Sequence, residues 1–270
     1  MGGTACIGVL QVGDSVVRYW KGSIAISPTQ DYPLLQQVLR STFITHQQLY
    51  AFLKLDYRTT SRNGFNNRVL RLVKHDYLIR DEIPHKTEGY VYSISERGAA
   101  ELIGLGEYCT GPTRRPRDGQ LPRAIYHAIE LNEIHLALKR SQQLVRWMAE
   151  SEIHSRNELT EDRYCKDYDA VVTVRYESGE RRFALEYERS PKARKEYLEI
   201  GTDIEAERAV DRFLYLVPNY DLLSFLIGCF ATVRRPIYFG LARDFLDRLF
   251  DMPLRGTRPG AMTTLRNLLQ

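Results

Sequence analysis

The chain has 270 residues, 43% of them hydrophobic and 27% charged, which suits a soluble globular protein of about two domains and excludes repeat and low-complexity architectures. No charged-then-apolar leader opens the sequence, and its most apolar stretch, Leu222 to Val233, is too short to span a bilayer, so no membrane partner and a cytoplasmic location are expected. The net charge of +4 arises in the first 123 residues, and the four cysteines, Cys6, Cys109, Cys165 and Cys229, show neither disulfide nor zinc spacing, so reduced thiols are expected.

Residues 1–30 read as an extension in which "VVRYW" and "SIAIS" can pair as strands. Asp31 and Pro33 then open a helix with Leu34, Leu35, Val38 and Leu39 as its apolar stripe. Thr45 is set to cap a second helix, with Gln48 three residues on as in a capping box and Leu49, Phe52 and Leu53 facing inward. A third helix spans about Ser61 to His75. At 100° per residue Phe65, Val69, Leu72 and Val73 form its inner side, while Asn63, Asn67, Arg71 and Lys74 form the outer one. Arg58, Arg62, Arg68, Arg71 and Lys74 lie in a window without a single acid, the charge that a phosphate backbone selects and that a solvated helix face also shows. The apolar runs "YLIRDEI" and "GYVYSIS", separated by a polar loop, read as a hairpin, and Glu96 to Leu105 as a closing helix.

Three helices followed by a hairpin resemble a winged helix-turn-helix domain, here over residues 31–105. The resemblance implies binding to double-stranded DNA, with Asn63, Asn67 and Arg71 on base edges. Arg58, Arg62, Arg68 and Lys86 would contact phosphates, and Lys86 sits in a loop able to reach an adjacent groove. Lys74, on the outer row, and Thr60 and Ser61, at the helix start, complete the expected DNA-binding set.

"GEYCTGPTRRPRDGQLPR", residues 106–123, reads as a basic, flexible linker. Beyond it residues 124–254 alternate: a helix from "AIYHAIELNEIHLALKRS", strands from "LVRWMAESEIHS", "YDAVVTVRY" and "RFALEYE", a helix from Ser190 to about Arg212, then strand, helix, strand and terminal helix. That order is α/β with a mixed sheet; residues 255–270 read as a tail. Alternation on a strand turns Glu186 and Glu188 to one face, where both can meet Asp169 on the neighbouring strand. Three converging carboxylates need a divalent cation or surrounding arginines and lysines to offset their repulsion. The chain lacks His-Glu-x-x-His, a phosphate-binding glycine loop and a Gly-x-Ser-x-Gly elbow, so zinc protease, P-loop and hydrolase chemistry have no support.

The second half resembles the restriction-endonuclease-like, or PD-(D/E)xK, core. In that family an Asp opening the second strand and a Glu-x-Lys on the third hold Mg²⁺ and position the attacking water. Asp169 and Glu186 match, whereas Glu188 stands at the lysine position. The resemblance implies Lys192, on the following segment beside Arg189 and Lys195, as the substitute cation, and Glu130 or Glu133 on the first helix as an added acid. The implied catalytic set is Asp169, Glu186, Glu188 and Lys192; the implied metal ligands are Asp169, Glu186, Glu188 and Glu133.

The two halves together, with the phrase "DAVV…FALEYERSPKARKEY", resemble the replication-relaxation family of plasmids and integrated conjugative elements. The resemblance implies a role in replication, mobilisation or transcriptional control of a mobile element. Two readings follow, beside a third in which the chain is a purely protein-binding adaptor. One is a DNA-binding protein that needs no cofactor, with a catalytically degenerate nuclease-like domain and partners among mobile-element proteins. The other is a Mg²⁺-dependent endonuclease or nickase targeted by the winged helix. The apolar segments "LLSFLIGCFATV" and "TTLRNLL" suit either a homodimer surface or the core.

Overall fold

A computed structural model of the protein describes residues 8–12, 15–19, 24–56, 61–86, 89–107, 116, 119–176, 179–258 and 260–270. Two strands, β1 (Gly8–Val12) and β2 (Ser15–Tyr19), pair antiparallel as a separate ribbon. The expected pairing of "VVRYW" with "SIAIS" is therefore corrected: β2 pairs backwards onto the run before it, and Ile24 and Ile26 instead pack against the first core.

That core belongs to a small unit of α1 (Asp31–Ser41), β3 (Ile44–Thr45), α2 (His46–Leu55), α3 (Arg62–Lys74), β4 (Leu78–Glu82), β5 (Tyr90–Ile94) and α4 (Glu96–Gly104). The capping box forms as its residues demand, the Gln48 amide donating to Thr45 Oγ1 and the Thr45 amide to Gln48 Oε1, each at 3.2 Å. Ser61 caps α3 in the same way, accepting from the Gly64 amide at 3.2 Å. The three strands pair antiparallel in the order β3-β5-β4, and the apolar stripes of the helices close over Phe52, Phe65, Val69 and Leu72. Gly98 is required where α4 crosses the chain, because a Cβ there would overlap the Tyr77 carbonyl oxygen.

The larger unit is a seven-stranded mixed sheet flanked by helices. Its chain order is α5 (Leu121–Arg140), β6 (Leu144–Ala149), α6 (Glu150–Leu159), β7 (Ala170–Tyr176), β8 (Gly179–Tyr187), α7 (Arg194–Ala206), β9 (Phe213–Val217), α8 (Tyr220–Cys229), β10 (Ile237–Leu241), α9 (Ala242–Arg248), β11 (Pro253–Gly256), β12 (Met262–Thr264) and α10 (Leu265–Leu269). The strands lie in the order β12-β11-β10-β9-β8-β7-β6, with β8, β9 and β10 parallel and the remaining neighbours antiparallel. Alternate residues of the sheet feed two cores. Ala184, Phe213 and Tyr215 meet Ile153 of α6, Tyr197 of α7 and Leu226 of α8 on one face. Leu185, Tyr187 and Leu214 meet Ile134 of α5, Phe245 of α9 and Leu269 of α10 on the other.

Three sequence expectations are corrected here. Residues Glu150 to Leu159 are helical rather than extended; Glu150 and Glu152 favour the positive first turn, and Ile153 anchors the helix in the core. Helix α7 starts at Arg194 rather than Ser190 and stops at Ala206, its first turn held by Glu196 Oε1, which accepts from the Ala193 amide at 3.2 Å. The stretch read as a tail completes the sheet as β11 and β12, with Leu265 and Leu269 fully buried. Of the two readings left open for the apolar segments, core or homodimer surface, Leu222, Leu223, Leu226, Phe230, Leu265 and Leu269 take the core, all being buried.

Most of the expected linker, residues 108–115 and 117–118, lies outside the described residues. Helix α5 begins inside the stretch expected to be linker and serves both cores, Leu136 in the small unit's and Ile134 and Leu138 in the sheet's. Gln48 Nε2 donates to Ile129 O at 2.8 Å, Asn132 Nδ2 donates to Phe43 O at 2.9 Å, and Lys139 Nζ pairs with Asp56 Oδ1 at 2.6 Å. The His135 ring lies between Phe52 and Trp147, stacked on the indole at 4.1 Å. Burial therefore holds this imidazole well below its usual range and uncharged at neutral pH. Among the described residues no helix is long and apolar enough to cross a membrane.

Candidate functional site

The β7–β8 hairpin assembles the carboxylates. Ala170 pairs with Leu185, so the next rung outward sets Asp169 against Glu186, and alternation puts Glu188 on the same face. Asp169 is fixed by the Tyr187 amide, which donates to its Oδ2 at 2.6 Å. From α5, His127 Nε2 lies 3.3 Å from the same oxygen and 3.0 Å from Tyr187 O. Lys166 Nζ pairs with Glu186 Oε1, and Lys192 Nζ donates to Glu188 Oε2 at 2.8 Å. Glu186 and Glu188 are each 7% exposed. Their side of β8 faces a cleft of about 340 Å³, lined also by Glu150 and Arg189 and closed from the small unit by Arg40 and Thr42.

Burial and charge set the protonation states. Burial pulls His127 down, but the Asp169 carboxylate and the hydrogen bonds to it outweigh that and push the imidazole up to about 9, so it is cationic at neutral pH. Burial pushes Asp169 up, and His127, the Tyr187 amide and Lys166 together bring it below the ordinary carboxylate range. Glu186 is pushed up to about 7 by burial, against Lys166 and with the charge of Asp169 adding to the rise. Glu150 is raised by burial and by Asp169. Behind the carboxylates the Tyr215 hydroxyl is buried with no hydrogen-bond partner among the described residues, and burial raises it well above its usual range.

Of the residues expected at this site, Asp169, Glu186, Glu188 and Lys192 come together. Glu133 does not: it accepts from Gln48 Nε2 at 2.7 Å in the junction between the units. Glu130 is held on the opposite side of β8, accepting from Tyr187 OH at 2.8 Å and from Arg189 Nε at 2.9 Å. Lys195 points to Glu199 on the exposed side of α7. Sequence reasoning did not single out Lys166 and His127. The first stands three residues before Asp169 in "KDYD", and the second one helical turn before Glu130 in "HAIE", so both were within reach as cations flanking the candidate acids.

The expected DNA-binding residues divide as well. Asn63, Asn67 and Lys74 are exposed on α3, and Lys86 is exposed beyond β4. Arg71, expected to read bases, instead donates from Nη2 to Asp31, a carboxylate that is 0% exposed, and Arg68 Nε lies 3.5 Å from the same side chain. A buried charge needs such partners, and both arginines clamp α3 onto α1. Arg62 stacks over the Tyr50 ring at 4.4 Å, and Ser61 serves as the helix cap. Arg58 and Thr60 lie outside the described residues. The outer row also contains Leu70, 54% exposed, which an account based on polar side chains passed over.

No family model, no curated protein and no solved structure matches this chain.

Proposed function

We propose that the protein binds double-stranded DNA on a plasmid or other mobile element, in the manner expected of the replication-relaxation family. In this reading residues 31–105 form a winged helix, α3 lies in the major groove, and the β4–β5 hairpin with Lys86 follows the backbone. The observation that carries the reading is the outer face of α3, where Asn63, Asn67 and Lys74 stand exposed in a stretch without acids. Amides suit adenine edges, and the cation suits phosphate. No cofactor is needed for this.

The sheet is proposed to be restriction-endonuclease-like and catalytically silent. What supports silence is the one-to-one pairing of its charges: Asp169 with His127, Glu186 with Lys166, Glu188 with Lys192. A divalent ion would need those carboxylate oxygens, and the chain's own cations already hold them, so the side chains as arranged do not fit one. The rival reading, a Mg²⁺-dependent endonuclease or nickase, draws on the cleft shared by Asp169, Glu186 and Glu188 and requires both lysines to withdraw.

Supercoiled plasmid incubated with the protein and Mg²⁺ or Mn²⁺, beside an Asp169→Ala variant, separates the two. The expected result is retarded but intact plasmid with either protein. Metal-dependent nicking that Asp169→Ala lacks would replace the silent site with a working one.

A further inference from the structure

We propose that Leu70 reads thymine in duplex DNA through the C5-methyl group of the base. The proposal rests on the DNA-binding reading above and adds the base that is recognised. Helix α3 buries Phe65, Val69 and Leu72 and half-buries Val73, which completes its contribution to the core. Leu70 points away from all of them at 54% exposure. Helical spacing aligns positions 63, 67, 70 and 74 on one face, so the leucine stands among Asn63, Asn67 and Lys74.

The surroundings identify the occupant. A protein partner that covered Leu70 would also have to desolvate two amides and an ammonium, with no second exposed apolar residue on that helix face to offset the cost. Duplex DNA meets each group with its complement. Phosphates take Lys74, adenine edges take the asparagines, and the one apolar group on a base edge in the major groove is the thymine methyl. Adenine and thymine are partners, so the amides and the leucine can be satisfied by the same A·T pairs. Beside Leu70 an open groove of about 600 Å³ runs between α3 and the β4–β5 hairpin, and Arg80 and Lys86 line it, where a phosphate strand has cations on its far side.

The test uses a randomised duplex pool. Duplexes retained by the protein are sequenced, and the best is resynthesised with deoxyuridine in place of thymidine, which removes the methyl and nothing else. The parent is expected to bind the thymidine form about fourfold more tightly per contacted methyl, the factor that burial of one such group gives. Leu70→Ala should bind more weakly and equally to both forms, while Leu70→Met, which keeps an apolar tip, should retain the preference. Equal binding of both forms by the parent, or a preference that survives in Leu70→Ala, overturns the inference and leaves DNA binding standing. A change in sedimentation of Leu70→Ala also overturns it, because the side chain then serves self-association. Failure of the parent to retain any duplex removes the DNA reading itself.

Discussion

Lys166→Met is expected to destabilise the protein by about 3 kcal/mol near pH 8, because it leaves a buried carboxylate without its cation. Glu186 is 7% exposed and the Lys166 side chain 16%, so water screens neither well. The loss depends on pH in a fixed direction. Glu186 ionises near 7 in the folded protein and near the ordinary glutamate value when unfolded, so the folded state holds the extra proton between those limits and stability falls as pH rises through them. Without Lys166 the folded-state value moves higher still, and the fall continues above 7. Urea unfolding at a series of pH values should therefore show a gap between parent and variant that widens from about pH 6 to about pH 9. Adding Glu186→Gln should close most of it. A gap independent of pH would mean that the lysine acts through packing alone.

Glu207→Ala is expected to cost about 4 kcal/mol or more, since it orphans several buried donors at once. The Glu207 side chain is 0% exposed and accepts from the Cys165 amide at 2.9 Å, Tyr168 OH at 3.1 Å, the Arg208 amide at 2.8 Å and the Ala209 amide at 2.7 Å. It thereby ties the segment ahead of β7 to the segment ahead of β9. Those bonds bracket Lys166 and immediately precede Asp169, so the same change should loosen the carboxylate site. Thermal unfolding measures the first effect. For the second, the histidine resonance of His127 should titrate nearer its ordinary value in the variant, because its partner Asp169 is no longer held in place. Glu207→Gln, which keeps one acceptor oxygen, should show a smaller loss.

What could be read in the residues was mostly local. The Thr45 capping box, the inner and outer sides of α3 and the pairing of β7 with β8 depend on neighbours a few residues apart or on strict alternation, and periodicity records both. Helix α6 left little trace because Ile153 and Leu159 are its only apolar members, and its place is set by the core it meets. The strands β11 and β12 are three or four residues long, too short for a pattern to emerge. The arginine roles on α3 turned on Asp31, forty positions away and wholly buried, so a window of any ordinary length shows two cations and not what they clamp. Lys166 and His127 are likewise assigned by tertiary geometry. The composition of the carboxylate site and the place of Lys192 beside Glu188 were legible; the parts of Lys166 and His127 in its neutralisation were not.

The central claim, that the exposed face of α3 holds duplex DNA with Lys86 on the backbone, is tested most directly by the affinity for a labelled duplex measured against salt concentration, for the parent and for Lys74→Ala with Lys86→Ala. The expectation is steep weakening with salt for the parent, and in the variant both lower affinity and a slope shallower by roughly one for each cation removed. No binding at low salt, or a variant that matches the parent in affinity and slope, would contradict it.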